Sequence, residues 1–216
     1  MYNRRMPITT FEIRRCDSCG LRYPLSISGR SSNLRCPACN GDTRLIISRE
    51  LVLESWHKKP QVHSRLSKYY VLLDNIRSAW NVGSILRSAD GFGYAHAYLC
   101  GITPTPENDA VRKTSLGAEK TVTWSYHKDS IKLAEVLNSK GWRIIALEGN
   151  EQSIPLIEVT NYEPSRPVAL IVGNEITGVD PHLLDLCDEI YHIPMHGEKK
   201  SFNVAIAFGI AAYALR

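Results

Sequence analysis

Four cysteines have the spacing of a metal site. Cys16 and Cys19 form one C-x2-C pair, Cys36 and Cys39 form another after sixteen intervening residues, and each pair is followed closely by a glycine, Gly20 and Gly41. Four thiolates so arranged close a tetrahedral shell around Zn2+ and leave no position for water, so the expected metal is structural and not catalytic. The alternative is two disulfides. The opening segment, MYNRRMPITTFEIRRC, carries no apolar stretch of the kind a secretion signal needs, so a cytoplasmic and reducing setting is expected, in which such thiols stay unpaired. Cys100 and Cys187 stand in apolar surroundings without matching partners and read as core thiols.

Three further segments hold polar side chains where loops run into helices. The first is DNIRSAWNVGSILRSADGFG, residues 74–93: Asn81 is placed to cap a helix with the apolar stripe Val82, Ile85, Leu86 and Ala89, and Arg87 projects from another face. The second is ALIVGNEITGVD, residues 169–180, a buried strand followed by Gly173, Glu175 and Gly178, where glycines let backbone approach a ligand. The third is IPMHGEKKSFNVAIAFGIAAYAL, residues 193–215: a strand ending at Pro194, a polar loop, then Ser201 or Asn203 as cap of an almost uniformly apolar helix. Lys199 and Lys200 in that loop can meet phosphate or simply be solvated. Gly91 and Gly93 follow a helix and not a strand, so they form no dinucleotide fingerprint, and no G-x-x-x-x-G-K-[ST] is present.

The elements that must position these residues follow from the hydrophobic pattern. YYVLLD (69–74), AHAYLCGI (95–102), TVTWSY (121–126), WRIIALE (142–148), PVALIVG (167–173) and EIYHIP (189–194) are six strand candidates. Helical patterns lie between them, one carrying Ile131, Leu133, Ala134 and Leu137. This alternation predicts an α/β domain, a mostly parallel sheet with helices on both faces, whose ligand lies at the carboxyl ends of the strands. The apolar run Phe202–Leu215 is too short to span a bilayer, so no membrane association is expected; a helix apolar all round is buried all round, against its own sheet and a second subunit.

Charge divides the chain in the same place as pattern. Residues 1–70 hold thirteen Lys/Arg against five Asp/Glu, and the remainder thirteen against seventeen. A net charge of +8 before the metal is counted, against −4 beyond, makes the N-terminal part the side that attracts a polyanion such as nucleic acid. The expected organisation is a zinc ribbon over 1–55 as a nucleic-acid-binding module, a basic linker over 56–68, and the α/β domain over 69–216.

In order and spacing, the three loop segments resemble the signature motifs of the SpoU family of RNA 2′-O-methyltransferases, within the SPOUT superfamily, and KTSLGA (113–118) is similar to that family too. The resemblance covers about residues 69–216. It implies an S-adenosylmethionine-dependent methyltransferase acting on a ribose 2′-hydroxyl of structured tRNA or rRNA, a C-terminal segment threaded as a trefoil knot, and a homodimer. It implies that Asn81, Arg87, Glu175, Ser201 and Asn203 are the functional polar residues, and that Gly173, Ile193 and Phe202, with Leu147 and Met195 nearby, contact the cofactor. Phe202 departs from the family's usual leucine. Two other readings remain open at this point: methylation of a base nitrogen, as in other branches of the superfamily, and a zinc-ribbon RNA-binding protein without activity. The resemblance gives Arg87 the role of activating the hydroxyl. A free guanidinium has a pKa around 13, so deprotonating one near pH 7 costs roughly 8 kcal/mol. Either an RNA phosphate takes its proton, or it stays charged and stabilises the developing alkoxide.

Overall fold

The computed structural model describes residues 9–27, 34–51, 67–159, 162 and 164–215. The chain forms two compact units, Met1–Gln61 and Val62–Arg216. The expected linker, 56–68, lies outside the described residues except for Ser67 and Lys68.

Unit 1 is a three-stranded antiparallel sheet of β1 (Thr9–Cys16), β2 (Arg22–Ile27) and β3 (Thr43–Leu51), in the order β2-β1-β3. Its described residues contain almost no apolar core. Among them only Cys16, Cys36 and Arg14 are buried. Arg14 is held by Glu12, by the Thr43 hydroxyl at 2.9 Å and by the Thr43 carbonyl at 3.0 Å. What is enclosed is the first cysteine of each C-x2-C pair, Cys16 and Cys36, while Cys19 and Cys39 are exposed, as expected of a module too small to fold on hydrophobic burial alone.

Unit 2 holds a seven-stranded parallel sheet. Its strands are β4 (Tyr69–Asp74), β5 (His96–Cys100), β6 (Thr123–His127), β7 (Arg143–Leu147), β8 (Ile154–Pro155), β9 (Val168–Val172) and β10 (Glu189–His192), in the order β6-β5-β4-β9-β7-β10-β8. All six predicted strands form, within a residue or two of their expected limits. The two-residue β8 has no periodicity to announce it. Alternate residues of each strand feed opposite faces: Val71 and Leu73 join one core, Leu72 the other.

The first core packs the sheet against α1 (Ala79–Gly91) and α5 (Val204–Ala214), through Val82, Ile85, Leu86 and Ala89 on one and Phe208, Ala211 and Ala212 on the other. The second packs it against α3 (Ser130–Ser139) and α4 (Pro181–Leu184), through Ala134, Leu137 and Leu183. Helices thus cover both faces. α2 (Asp109–Ser115) lies against α1 at Gly83, where any Cβ would stand 1.9 Å from the Thr114 hydroxyl and 2.4 Å from the Val111 carbonyl. Only glycine permits that approach. Cys100 is a core thiol as expected, whereas Cys187 is only partly buried at the edge of the second core; both are pushed up to about 12 by burial.

The expectation that Asn81 caps α1 is not met. Ser78 is the cap, its hydroxyl accepting from the Asn81 amide, and Asn81 sits inside the first turn with its side chain free for other work. At α5 the cap is Asn203 and not Ser201, with its carboxamide oxygen accepting from Ala205 N at 2.9 Å. Nor is α5 covered on every side within the chain: Ile206, Ile210 and Tyr213 form an exposed stripe on it.

Candidate functional site

The motif loops meet at the carboxyl end of the sheet. There the ends of β7, β9 and β10 surround a cleft of about 330 Å3, at the lower end of the size range of small-molecule sites. Its walls include Leu147, Gly173, Ile193, Met195 and Phe202, the five expected cofactor contacts, together with Glu175, Ser201 and Asn203. Asn81 and Arg87 are not among its lining residues.

The turn after β9 is built on close backbone contacts. Asn174 and Gly178 exchange backbone hydrogen bonds of 3.0 and 2.9 Å, and the Asn174 side chain accepts from the amides of Ile176 and Thr177 while donating to the Asn75 carbonyl at 2.7 Å. A Cβ on Gly173 would fall 2.2 Å from Val179 N, so this glycine is required by the turn itself. Gly178 adopts a φ of +74° and lies against the Glu148 carboxylate, which accepts from Val179 N at 2.9 Å. Gly149, by contrast, has nothing within 4 Å of where its Cβ would be, although it lines the cleft. It leaves a space that a ligand can fill.

One directional relay joins the three motifs. Asn203 donates from Nδ2 to Oδ1 of Asn81 at 3.0 Å, and Asn81 donates from Nδ2 to Oε1 of Glu175 at 2.9 Å. Glu175 also accepts from Arg77 N at 2.9 Å and Ser78 N at 3.0 Å. A carboxylate only accepts, and the Ala205 amide only donates, so both carboxamides between them have their oxygen and nitrogen ends fixed. Burial alone would raise the Glu175 carboxyl. The donors from Arg77, Asn81 and Ser78 outweigh it and hold Glu175 below its usual range.

Arg87 stands apart. It is exposed on α1 and has no hydrogen-bond or ion-pair partner among the described residues. Sequence reasoning also passed over the residues beneath the site. Asp74, 1% exposed, accepts from Ser130 Oγ at 2.8 Å, Asn75 Nδ2 at 2.8 Å and Asp180 N at 3.1 Å, and so ties β4 to α3 and to the loop that ends in α4. A polar residue closing a buried strand was the available signal.

In unit 1 the cysteine sulfurs all lie within 4.8 Å of one another, with Cys16 to Cys39 at 3.5 Å and Cys19 to Cys36 at 3.6 Å. A tetrahedron with Zn–S bonds of about 2.3 Å has edges of about 3.8 Å, so the donor set fits such an ion. Two matching turns build it, with Gly20 N donating to the Cys16 carbonyl at 3.1 Å and Asn40 N to the Cys36 carbonyl at 2.9 Å, and Cys19 N and Ala38 N donate to the Cys16 and Cys36 sulfurs, each at 3.4 Å. The left-handed residues that complete them are Gly20 and Asn40, with φ of 75° and 58°. Gly41 was the expected turn glycine; its need is spatial instead, since a Cβ there would lie 2.6 Å from the Ser18 hydroxyl. Crowding sets the thiols apart: the Cys19 amide brings Cys16 down to about 6, whereas Cys39, favoured by the Gly41 amide, is pushed up to about 12 by neighbouring sulfurs. A divalent cation at the centre would let all four ionise together.

Fold and cleft define an α/β protein with a small-molecule site at the carboxyl end of a parallel sheet. A profile of the SpoU rRNA Methylase family matches residues 68–213, and the chain belongs to that family. It is 27% identical over 172 residues to the tRNA (guanosine(18)-2′-O)-methyltransferase of Aquifex aeolicus, covering 78% of this chain and 79% of that protein. To a protein of the same name from Thermus thermophilus it is 30% identical over 143 residues, 66% of this chain and 71% of the relative. Among solved structures, the A. aeolicus TrmH/SpoU tRNA modifying enzyme aligns with a TM-score of 0.63 at 26% identity, over 71% of this chain and 76% of that one. An AdoMet-bound rRNA methyltransferase from Sinorhizobium meliloti aligns with a TM-score of 0.63 at 28% identity, over 68% of this chain and 55% of that one.

Proposed function

We propose that this chain transfers the methyl group of S-adenosylmethionine to a ribose 2′-hydroxyl of tRNA or rRNA. The observation that carries this reading is the Asn203–Asn81–Glu175 relay, which locks residues from three separate motifs beside a cleft whose walls hold all five expected cofactor contacts. The cofactor supplies an electrophilic methyl group. The chain's own residues align donor and acceptor, which can remove much of the barrier. Gly149 leaves room in the cleft; Gly173, Ile193 and Phe202 hold the cofactor through their backbones, with Leu147 and Met195 nearby; Ser201 and Asn203, on the same walls, position the ribose. Arg87, exposed and without a partner among the described residues, has its charge available for the RNA and for the hydroxyl as it loses its proton.

A homodimer belongs to the same reading and is supported by the exposed stripe Ile206, Ile210 and Tyr213 on α5. The trefoil threading rests on the resemblance and fits a strand order in which β9 lies between β4 and β7 while β10 lies beyond β7. Zn2+ in the cysteine cluster makes the ribbon a folded, basic RNA-binding module, joined by the 56–68 linker to a catalytic domain over 69–216. No helix among the described residues is long and apolar enough to cross a membrane, and a cytoplasmic setting completes the proposal.

The test is transfer of labelled methyl from S-adenosylmethionine to unmodified RNA, followed by alkaline hydrolysis. A 2′-O-methyl group blocks attack on the adjacent phosphate, so label is expected in alkali-resistant dinucleotides. Label in mononucleotides carrying a methylated base would refute ribose as the acceptor.

A further inference from the structure

The ribbon carries a row of arginines that its own fold does not use. The antiparallel registers place Arg15 of β1 directly opposite Arg22 of β2 and Arg44 of β3. Directly opposed residues share a face, so three cationic side chains stand side by side across the whole sheet, over about 10 Å at a strand spacing near 4.8 Å. All three are exposed. Like charges directly opposite one another destabilise a sheet. The only offsetting ion pair among the described residues is Arg44 with Asp17, at 3.5 Å and largely in solvent. Arg14 shows the contrast: it points to the other face, is buried, and is neutralised by Glu12. Further along the arginine face lie Ile13 opposite Ile47 and Phe11 opposite Arg49, which is also exposed.

We propose that the Arg22–Arg15–Arg44 row, extended by Arg49, is the surface through which the ribbon grips the phosphate backbone of RNA. Guanidinium forks match phosphate oxygens in pairs, and a polyanion removes the repulsion that the row otherwise carries. The apolar strip of Phe11, Ile13 and Ile47 beside the row offers a surface for riboses and base faces. The inference rests on the reading of the protein as an RNA methyltransferase. It adds which face meets RNA and what that face recognises: charge spacing and backbone, not base edges.

The full-length, zinc-loaded protein is titrated with a fluorescein-labelled RNA stem-loop over a range of salt. Each phosphate contact contributes about 0.7 to 0.9 to the slope of log affinity against log salt, so Arg15→Gln/Arg22→Gln/Arg44→Gln flattens the slope by about 2. The corresponding Arg→Lys triple keeps most of it. A control triple that removes the same charge from unit 2, Lys128→Gln/Lys132→Gln/Lys140→Gln, leaves the slope as in wild type. Zinc content and S-adenosylmethionine binding stay unchanged in all three. An unaltered slope in the arginine-to-glutamine protein overturns the proposal, as does equal flattening in the lysine control, which would mean bulk charge alone. Since Arg15 adjoins Cys16, loss of zinc together with an unaltered slope would assign the row to balancing the metal cluster. If the triple variant does not fold, the single Arg22→Gln must still lower the slope by about 0.7. Wild-type protein that binds no RNA would defeat the parent reading, whereas wild type and variant binding alike would defeat only the row. Vesicles of anionic lipid competing as well as the stem-loop would shift the partner from RNA to a membrane surface and overturn it too.

Discussion

Replacing Asn81 by aspartate is nearly isosteric and reverses one end of the relay. A carboxylate oxygen then faces Oε1 of Glu175 where an N–H stood 2.9 Å away. Two unit charges at that separation repel by about 1.4 kcal/mol in bulk-water dielectric and about 5.7 kcal/mol at an effective value of 20. Glu175 is exposed, so solvent screening keeps the term near the lower figure. The hydrogen bond to a charged acceptor is lost as well, about 1 to 2 kcal/mol after the same discount. The expected destabilisation of unit 2 at pH 8 is therefore about 2–4 kcal/mol. Its pH dependence has a definite sign. In wild type the Glu175 carboxyl is held low, so its contribution is present above the unfolded carboxylate pKa and is lost as pH falls through the folded value. In Asn81→Asp the pair titrates with one apparent pKa raised, because two adjacent carboxylates cannot both ionise cheaply. The penalty is thus full above that raised pKa and shrinks as pH falls through it. Urea unfolding followed by fluorescence of Trp80, Trp124 and Trp142, from pH 8 to pH 5, measures both. A stability difference that is the same at the two ends would show that Asn81 and Glu175 are not in contact in solution, and the relay would fall with it.

Other outcomes follow from the same geometry. Arg87→Ala should bind S-adenosylmethionine with unchanged affinity by calorimetry while losing most methyl transfer to RNA; full turnover would remove this arginine from the chemistry. Gly149→Val should fill the space in the cleft, weakening cofactor binding at least tenfold with little change in melting temperature, because no neighbour lies within 4 Å of the new Cβ. Cys16→Ser/Cys19→Ser should abolish zinc binding and unfold the 9–51 sheet, seen as loss of amide protection there, while unit 2 keeps its unfolding midpoint. Ile206→Glu should turn the proposed dimer into a 24 kDa monomer in sedimentation at micromolar concentration, since it places a charge within the exposed apolar stripe of α5; a wild type that already sediments as monomer would remove the dimer from the reading.

The local parts of this protein were legible in its sequence because their causes are local. C-x2-C pairs bring sulfurs together through tight turns whatever surrounds them, and the six long strands announce themselves as apolar runs that a doubly covered parallel sheet requires. The stripe Val82, Ile85, Leu86 and Ala89 needed only the helical period, and all four are fully buried. Capping was harder to read, because Ser78 and Asn81 are both good caps three residues apart, and Glu175, binding the amides at this helix start and the Asn81 side chain, holds both in place.

What tertiary structure alone decided depends on distance along the chain. Glu175 reaches Asn81 across 94 residues and Asn203 reaches it across 122, contacts that exist only because β9 inserts between β4 and β7. No periodicity encodes a strand order. Asp74 is a polar side chain buried at a strand end, tolerable only where Ser130 and the Asp180 amide arrive to bond it. Arg15, Arg22 and Arg44 are inconspicuous in sequence, scattered among other basic residues. The pairing registers of β1 with both neighbours turn them into a row, because side chains directly opposed in an antiparallel sheet share one face.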